Sequence, residues 1–351
     1  MTLFGIRMGV DLGIFRKLVE QNGVPISATE LAAKCGAEEL LLFRIMRIIT
    51  GTGYAAESGE REYVATPLSH AMLVPHVEAF AIHSLDHGGR VVGRTPDYFK
   101  ERGYSSPTDA LRCPFQFTMG LADDVHFFDW LHADAERTEA FNVAMMGSRG
   151  GRRSWFEWYP VAERLLAPFQ KFVDNDDSVF LVDMGSGKGH HLEALIKKFP
   201  TTANHLVLQD LPPTISALPD TLHAGIRPMV HDIFTPQCVP GALAYYTHFV
   251  MHDFTDDKCR EMLRAVAAVM TPGYSRLLIN EAVIPEKGCP PWFAAADITM
   301  MVLLASIQRS RRHWVELVES AGLKVVQVWV SPDPGDAEGV IEAMVDSDAD
   351  S

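Results

Sequence analysis

Two residues stand where they are costly unless they work together. Glu281 lies inside the apolar run Arg276–Ile284 (RLLINEAVI), and His252 follows another apolar run, Leu243–Met251, in the segment HFVMHDFTDD. A carboxylate in a buried parallel strand is unfavourable without a partner, so Glu281 is expected to face the end of a sheet, with His252 one strand over as its partner. A carboxylate on one imidazole nitrogen fixes the tautomer and leaves the other nitrogen free to take a proton from a hydroxyl. A phenol with a pKa of about 10 faces a free imidazole at about 6.5, a gap of nearly 5 kcal/mol at about 1.36 kcal/mol per unit. A paired glutamate narrows that gap by raising the histidine.

A second stretch says what such a base would serve. Val179–Pro200 (VFLVDMGSGKGHHLEALIKKFP) opens as a buried strand, closes as a helix through Leu192, Leu195, Ile196 and Phe199, and carries Asp183, Gly185, Gly187 and Gly189 between them. Glycines at a strand-to-helix turn bring backbone close to a ligand. A phosphate-cradling loop needs glycine where Val182 stands and a hydroxyl residue where Gly189 stands. The dinucleotide fingerprint GxGxxG needs its third glycine where His190 stands. An acid closing the strand and then GxGxG remain, and this pattern resembles the first motif of the S-adenosyl-L-methionine (SAM)-dependent methyltransferases. A sulfonium cation, an amino-acid tail and a ribose suit a loop entered by Asp183 better than a polyanion does, and a nearby sulfonium favours a phenolate.

The elements that must position these groups follow as strand-then-helix units. Strands are expected at 179–182, 205–209, 227–230, 243–251 and 276–284, with a helix over 255–270 and a closing antiparallel hairpin of 323–330 and 339–345. Five such units and a hairpin make an α/β, seven-stranded, doubly wound (Rossmann-like) methyltransferase sheet. Ligands bind beyond the carboxyl ends of such strands. Asp210, with Leu211 beside it, is placed to grip ribose hydroxyls, and Asp232 to accept from an adenine amino group with Ile233 on the ring face. The alternative for Asp232 is a capping role.

The 351 residues are 47% hydrophobic with a net charge of -14, which argues against a nucleic-acid partner. Five dispersed cysteines without a CxxC pair indicate neither disulfides nor a metal site, so reduced thiols in the cytoplasm are expected. The amino terminus is a poor signal peptide, and no stretch reaches the about 18 apolar residues of a membrane span.

The chain before residue 175 reads as a separate, mostly helical domain, 1–174, ahead of a catalytic domain, 175–351. Met8–Leu18 has helical spacing, Ser27 with Glu30 forms a capping box, Glu38–Ile49 is an apolar helix, and Tyr54–Ala56 with Tyr63–Ala65 form a hairpin. That is a winged helix-turn-helix. Without a basic stripe, it favours dimerisation or a lid over DNA binding. Phe141, Met145, Met146 and Trp155 can pack as helix core or, with Met251, Met300 and Met301, line a pocket for a flat aromatic substrate.

Over nearly its whole length the sequence resembles the plant caffeate-type and fungal natural-product O-methyltransferases, through LGIFRKL, YVATPLS, FNVAM, VDMGSGKG, LQDLPPTI, HDIF, HDFTDD, LLINEAVIP and HWVELVESAGLKV. The resemblance implies SAM contacts from Gly185, Gly187, Gly189, Asp210, Asp232 and Ile233. It further implies a general base in His252, its orienting acid in Glu281, a cofactor-stacking position at Phe254, and a homodimer through the amino-terminal domain. The expected activity is methyl transfer to a phenolic or enolic hydroxyl of an aromatic secondary metabolite. Two positions depart from the family. Gln308 stands where a second glutamate usually flanks the base, and His248 where a lysine often contacts the cofactor. SAM-assisted cyclisation without methyl transfer, known among fungal relatives, and a SAM-sensing binding protein are the alternative activities.

Overall fold

The computed structural model describes residues 1–147, 152–172, 178–333 and 336–346. The chain forms two compact units. One comprises Met1–Ser105 and Pro114–Arg152, the other Ser106–Cys113 and Arg153–Ser351. The boundary expected at 174 therefore falls earlier. Residues from Trp155 to Phe169 carry large apolar side chains that pack on the catalytic sheet's own strands, so they belong to that core.

In the amino-terminal unit, helices Thr2–Asp11 and Ile14–Val19 are followed by a two-residue strand β1 (Ile26–Ser27), helices Ala28–Cys35 and Glu39–Gly51, and strands β2 (Ala56–Gly59) and β3 (Glu62–Val64). The order is β1-β3-β2, so the hairpin foreseen from sequence gains a third strand. Ser27 caps its helix by accepting from the Glu30 backbone N–H at 3.2 Å. The Glu30 carboxylate does not complete the expected box but pairs with Lys34, one turn on, at 3.2 Å. Ile14, Phe15, Leu18, Leu31, Leu42, Ile45, Met46 and Ile49 make this unit's core.

The second unit is built on a seven-stranded sheet. Its strands are β4 (Leu181–Met184), β5 (Leu206–Asp210), β6 (Ile226–Val230), β7 (Ala244–His248), β8 (Arg276–Ala282), β9 (Leu323–Val330) and β10 (Glu338–Val345). The order is β6-β5-β4-β7-β8-β10-β9, with β4 to β8 parallel and β10 antiparallel to both of its neighbours. Each face carries its own apolar layer. One is centred on Val182, Tyr245, Ile279 and Trp314, the other on Leu181, Leu208, Tyr246 and Leu278. Alternate residues of β4, β7 and β8 thus supply opposite layers, and strands buried on both faces read as continuous apolar runs. The same packing brings the carboxyl ends of β4, β5, β7 and β8 to one edge.

Candidate active site

The loop after β4 is held in shape by side chains within and beside it. Asp183 is buried and accepts from the Ser186 hydroxyl at 2.7 Å, while the Asp210 Oδ2, at the end of β5, accepts from the Gly187 N–H at 2.8 Å. Gly185, Gly187 and Gly189 all have positive φ. Their surroundings differ. A Cβ on Gly185 would lie 2.7 Å from the Val250 Cγ2, whereas one on Gly187 would meet no protein atom within 4 Å. Gly185 is thus required by the protein's own packing, and Gly187 leaves backbone facing open space, where a ligand can lie flat against it. With carboxylates beside this cradle and the loop's one lysine, Lys188, exposed, the donors present fit a cationic nucleoside with hydroxyl groups better than a phosphate.

Other expected cofactor residues are placed more variously. The Asp210 Oδ1 also accepts from the Leu211 N–H at 2.7 Å, so both carboxylate oxygens already hold backbone and keep their second lone pairs for a ligand. Asp232 is exposed and accepts from the Phe234 N–H at 3.0 Å, the turn-capping geometry. Ile233 and Phe254 pack against the core, and Phe254 meets Phe234 edge-on at 5.0 Å. His248 is buried, with its ring 4.3 Å from that of His191 and its Nε2 3.5 Å from the Glu338 carboxylate. Leu211 is 46% exposed.

His252 lies in the short 3₁₀ turn Met251–Asp253 after β7, entered through Phe249, which adopts a left-handed φ of 47°. Non-glycine backbone in that region is strained by about 1 to 3 kcal/mol and marks positions the surrounding structure over-determines. Glu281, fully buried near the end of β8, does converge on this turn, but its carboxylate is taken by backbone. Its Oε1 accepts from the N–H groups of Val250, Met251 and His252 at 2.9, 2.8 and 3.4 Å. The Oε2 stops 3.9 Å from the His252 Nδ1, beyond hydrogen-bonding distance. The expected carboxylate–imidazole hydrogen bond is therefore replaced. It is Gln308 whose amide meets the His252 Nδ1, at 2.9 Å.

Gln308 is held in turn by its backbone N–H to the Asp297 carboxylate at 2.7 Å. Ser306 donates to the carbonyls of His252 and, at 2.9 Å, Phe254. Arg309, fully buried, donates to the carbonyls of Met251 and Phe254 at 3.0 and 2.8 Å and to Asp256 at 2.9 Å. Burial alone would raise Asp256, but His313 and Arg309 outweigh it and hold the carboxyl at about 2. Burial and then Arg309 push His252 down to about 4, against smaller upward pulls from Gln308 and the Phe249 carbonyl. With 17% of its side chain still accessible, solvent softens that shift. Burial lifts Asp253 to about 7, and burial together with Asp253 lifts Glu281 to about 8. Sequence reasoning missed Ser306, Arg309 and Asp256. The available signal was an arginine five residues past the apolar helix Pro291–Leu304 and an acid four residues past the histidine.

The pocket candidates divide. Trp155 is core, 1% exposed and stacked on Tyr246 at 4.9 Å, because its ring is large enough to span the layer over the sheet. Met251 is core too, 2% exposed among Cys259, Met262 and Ile279, since the turn points it inward. Met300 and Met301 are half-buried on Pro291–Leu304. In the other unit, Phe141 lines a cavity of about 280 Å³ with Ile82, His83, Asp86, His87 and Arg137. Met145 is half-buried on the same helix, and the Met146 side chain lies outside the described residues.

Comparison with known proteins bears on this arrangement. A model of the O-methyltransferase domain matches residues 109–324, and one of the O-methyltransferase dimerisation domain matches residues 4–75. The chain belongs to the O-methyltransferase family. The O-methyltransferase penC of Penicillium thymicola is 36% identical over 96% of this chain and 82% of its own. The demethylsterigmatocystin 6-O-methyltransferase of Aspergillus parasiticus is 34% identical over 92% and 80%. Among solved structures, LepI in complex with SAM superposes with a TM-score of 0.86 at 29% identity, covering 98% of this chain and 86% of that one. The family's cofactor is SAM, and this O-methyltransferase carries the fold and the glycine cradle that go with it.

Proposed function

We propose that this O-methyltransferase transfers the SAM methyl group to a phenolic or enolic hydroxyl of an aromatic secondary metabolite, with His252 as the group that takes the hydroxyl's proton. One observation carries this reading. Val250, two residues before His252, lies against Gly185, so the turn bearing the imidazole packs directly on the glycine loop. The Glu281 Oε1 fastens that turn by three backbone N–H groups, which makes Glu281 a positioning residue for the base.

Asp183, Gly185, Gly187, Gly189, Asp210, Leu211, Asp232, Ile233, His248 and Phe254 are the residues proposed to hold or surround SAM, with Asp210 and the Gly187 backbone foremost. When bound, SAM supplies a methyl group on a sulfonium, which leaves as a neutral thioether. The chain supplies orientation and a proton acceptor. Gln308 fixes the imidazole ring, Ser306 and Arg309 lock the carbonyls of its turn, and proximity accounts for much of the rest. Met300 and Met301, half-buried on Pro291–Leu304, are proposed for the acceptor side.

The relative named for demethylsterigmatocystin supports a natural-product acceptor. The match over residues 4–75 supports a homodimer through the amino-terminal unit, and the five free cysteines support a reducing, cytoplasmic setting. No described helix is long and apolar enough to cross a membrane. Incubation with methyl-labelled SAM and a panel of hydroxylated aromatics tests the reading. Labelled product with stoichiometric S-adenosylhomocysteine is expected, and acceptor conversion without S-adenosylhomocysteine would replace methyl transfer with SAM-assisted rearrangement.

A further inference from the structure

Apart from the residues assigned so far, three metal-ligating side chains meet where β6 ends. Met229 and His231 stand two residues apart, and the His231 N–H continues the ladder to the Asp210 carbonyl at 3.0 Å, so both side chains take the same face of the strand. The loop that follows returns Cys238, an exposed residue, to them. Its Sγ lies 3.3 Å from the Met229 Sδ and 3.8 Å from the His231 Nδ1. Against the sulfurs, the buried Gln209 and Gln237 amides bond each other reciprocally at 2.8 and 2.9 Å. The Val239 N–H donates to the Gln237 Oε1 at 3.0 Å, which fixes the way both amides face. The second N–H of Gln209 is thereby turned to the sulfurs, with its nitrogen 3.5 Å from the Met229 Sδ and 3.5 Å from the Cys238 Sγ. Hydrogen bonds to ligand sulfurs are a regular part of the surroundings of sulfur-bound metals.

We propose that Met229, His231 and Cys238 form a binding site for a soft monovalent metal ion, copper(I). A metal–sulfur bond of about 2.3 Å and a metal–nitrogen bond of about 2.0 Å in a trigonal site set sulfur to sulfur at about 4.0 Å and sulfur to nitrogen at about 3.7 Å. The second separation is already met. The first requires the Met229 thioether to withdraw by about 0.7 Å, which an unbranched side chain with three rotatable bonds allows. On binding, the thiol proton leaves to solvent and the thiolate cancels the charge of the ion, so the loaded site is neutral. Burial lowers the His231 imidazole against a smaller upward pull from Asp232, which keeps its lone pair available near neutral pH. The donor set selects the metal. Zinc favours four ligands drawn from thiolate, imidazole and carboxylate, and among the described residues no three His, Cys, Asp or Glu side chains gather to hold an ion. A thiolate, a thioether and one imidazole suit copper(I) instead. The five dispersed cysteines gave no sign of the site, because two of its three ligands are not cysteine and the third returns across a loop.

The test uses the full-length, reduced protein without oxygen, with copper(I) supplied as its ferrozine complex, whose colour fades as the protein withdraws the metal. Transfer of one equivalent is expected. Copper K-edge X-ray absorption of that sample should show two sulfurs at about 2.3 Å and one nitrogen at about 2.0 Å. Cys238→Ser should weaken binding by about 100-fold or more, and Met229→Leu, which conserves volume, by about tenfold. Cys289→Ser, at a half-buried thiol elsewhere, should change nothing. A cysteine acting alone would bind copper equally well in Met229→Leu and show no second sulfur, and either result overturns the proposal. So does an absence of transfer to the wild type, transfer that survives Cys238→Ser, or displacement of the bound copper by zinc(II) at equal concentration. Should Cys238→Ser lose its fold, judged by its thermal midpoint, the wild-type absorption spectrum and the Met229→Leu titration still decide.

Discussion

The glycine loop and the His252 turn touch through Gly185 and Val250, yet they are built in opposite ways. In the loop the working groups are contiguous in sequence and are mainly backbone, and the acids nearby are capped by their own neighbours, as Asp210 is by Leu211 and Asp232 by Phe234. Around His252 they are side chains from two distant segments, Glu281 on β8 and Ser306 to Arg309 after the helix Pro291–Leu304, joined by Asp256 at the start of the helix that follows the turn itself. The first can be read from a pattern of residue types. The second depends on which atom of each side chain faces which, a choice of a few tenths of an ångström to one ångström.

The sharpest way to break the contrast is to remove the imidazole. His252→Ala is expected to lower kcat by about 10²- to 10⁴-fold while the SAM dissociation constant by calorimetry stays within about twofold. Retention of most activity would end the base assignment. Glu281 separates positioning from proton chemistry. Glu281→Ala leaves three buried donors short of an acceptor and should cost about 3 kcal/mol in denaturant unfolding, whereas Glu281→Gln keeps a carbonyl for them and should cost under about 1 kcal/mol. Equal losses would show that charge, not the acceptor, holds the turn.

The two loop glycines sharpen the comparison further. Gly185→Ala should lower both the thermal midpoint and SAM affinity, the latter by about tenfold or more, since its Cβ collides with Val250. Gly187→Ala, with open protein space, should weaken SAM binding by a similar factor while costing only the roughly 1 kcal/mol of a left-handed alanine. The smallest effect lies in the amino-terminal unit. Burial and then His87 push His83 down to about 4. A depressed histidine contributes stability that is present above the unfolded value of about 6.5 and is lost as pH falls toward the folded one. His83→Asn should accordingly flatten the decline in thermal midpoint between those two pH values; an unchanged slope would place the titration elsewhere.

Legibility follows the same division. The strands β4, β5, β7 and β8 were readable because strands buried on both faces are apolar runs, β6 and β9 from shorter apolar stretches although they are largely exposed, and the chain position where one unit gives way to the other was not, because Trp155 and Phe156 look alike whether they line a pocket or a core. The insertion of β10 between β8 and β9 was invisible as well. A closing hairpin is evident from its turn, but which of its strands pairs inward depends on Gly339, where a Cβ would lie 2.7 Å from both Val283 and the Trp329 carbonyl.

What the sequence determined by itself is the order of strands and helices, the glycine cradle and the presence of an imidazole and a carboxylate near adjoining strand ends. These follow from residue types at short spacing, where chain geometry leaves few alternatives. Only the tertiary structure decided that the carboxylate is consumed by backbone N–H groups and that an amide holds the imidazole. Hydrogen bonding selects among atoms within contact distance, and no spacing along the chain records which of them arrive first.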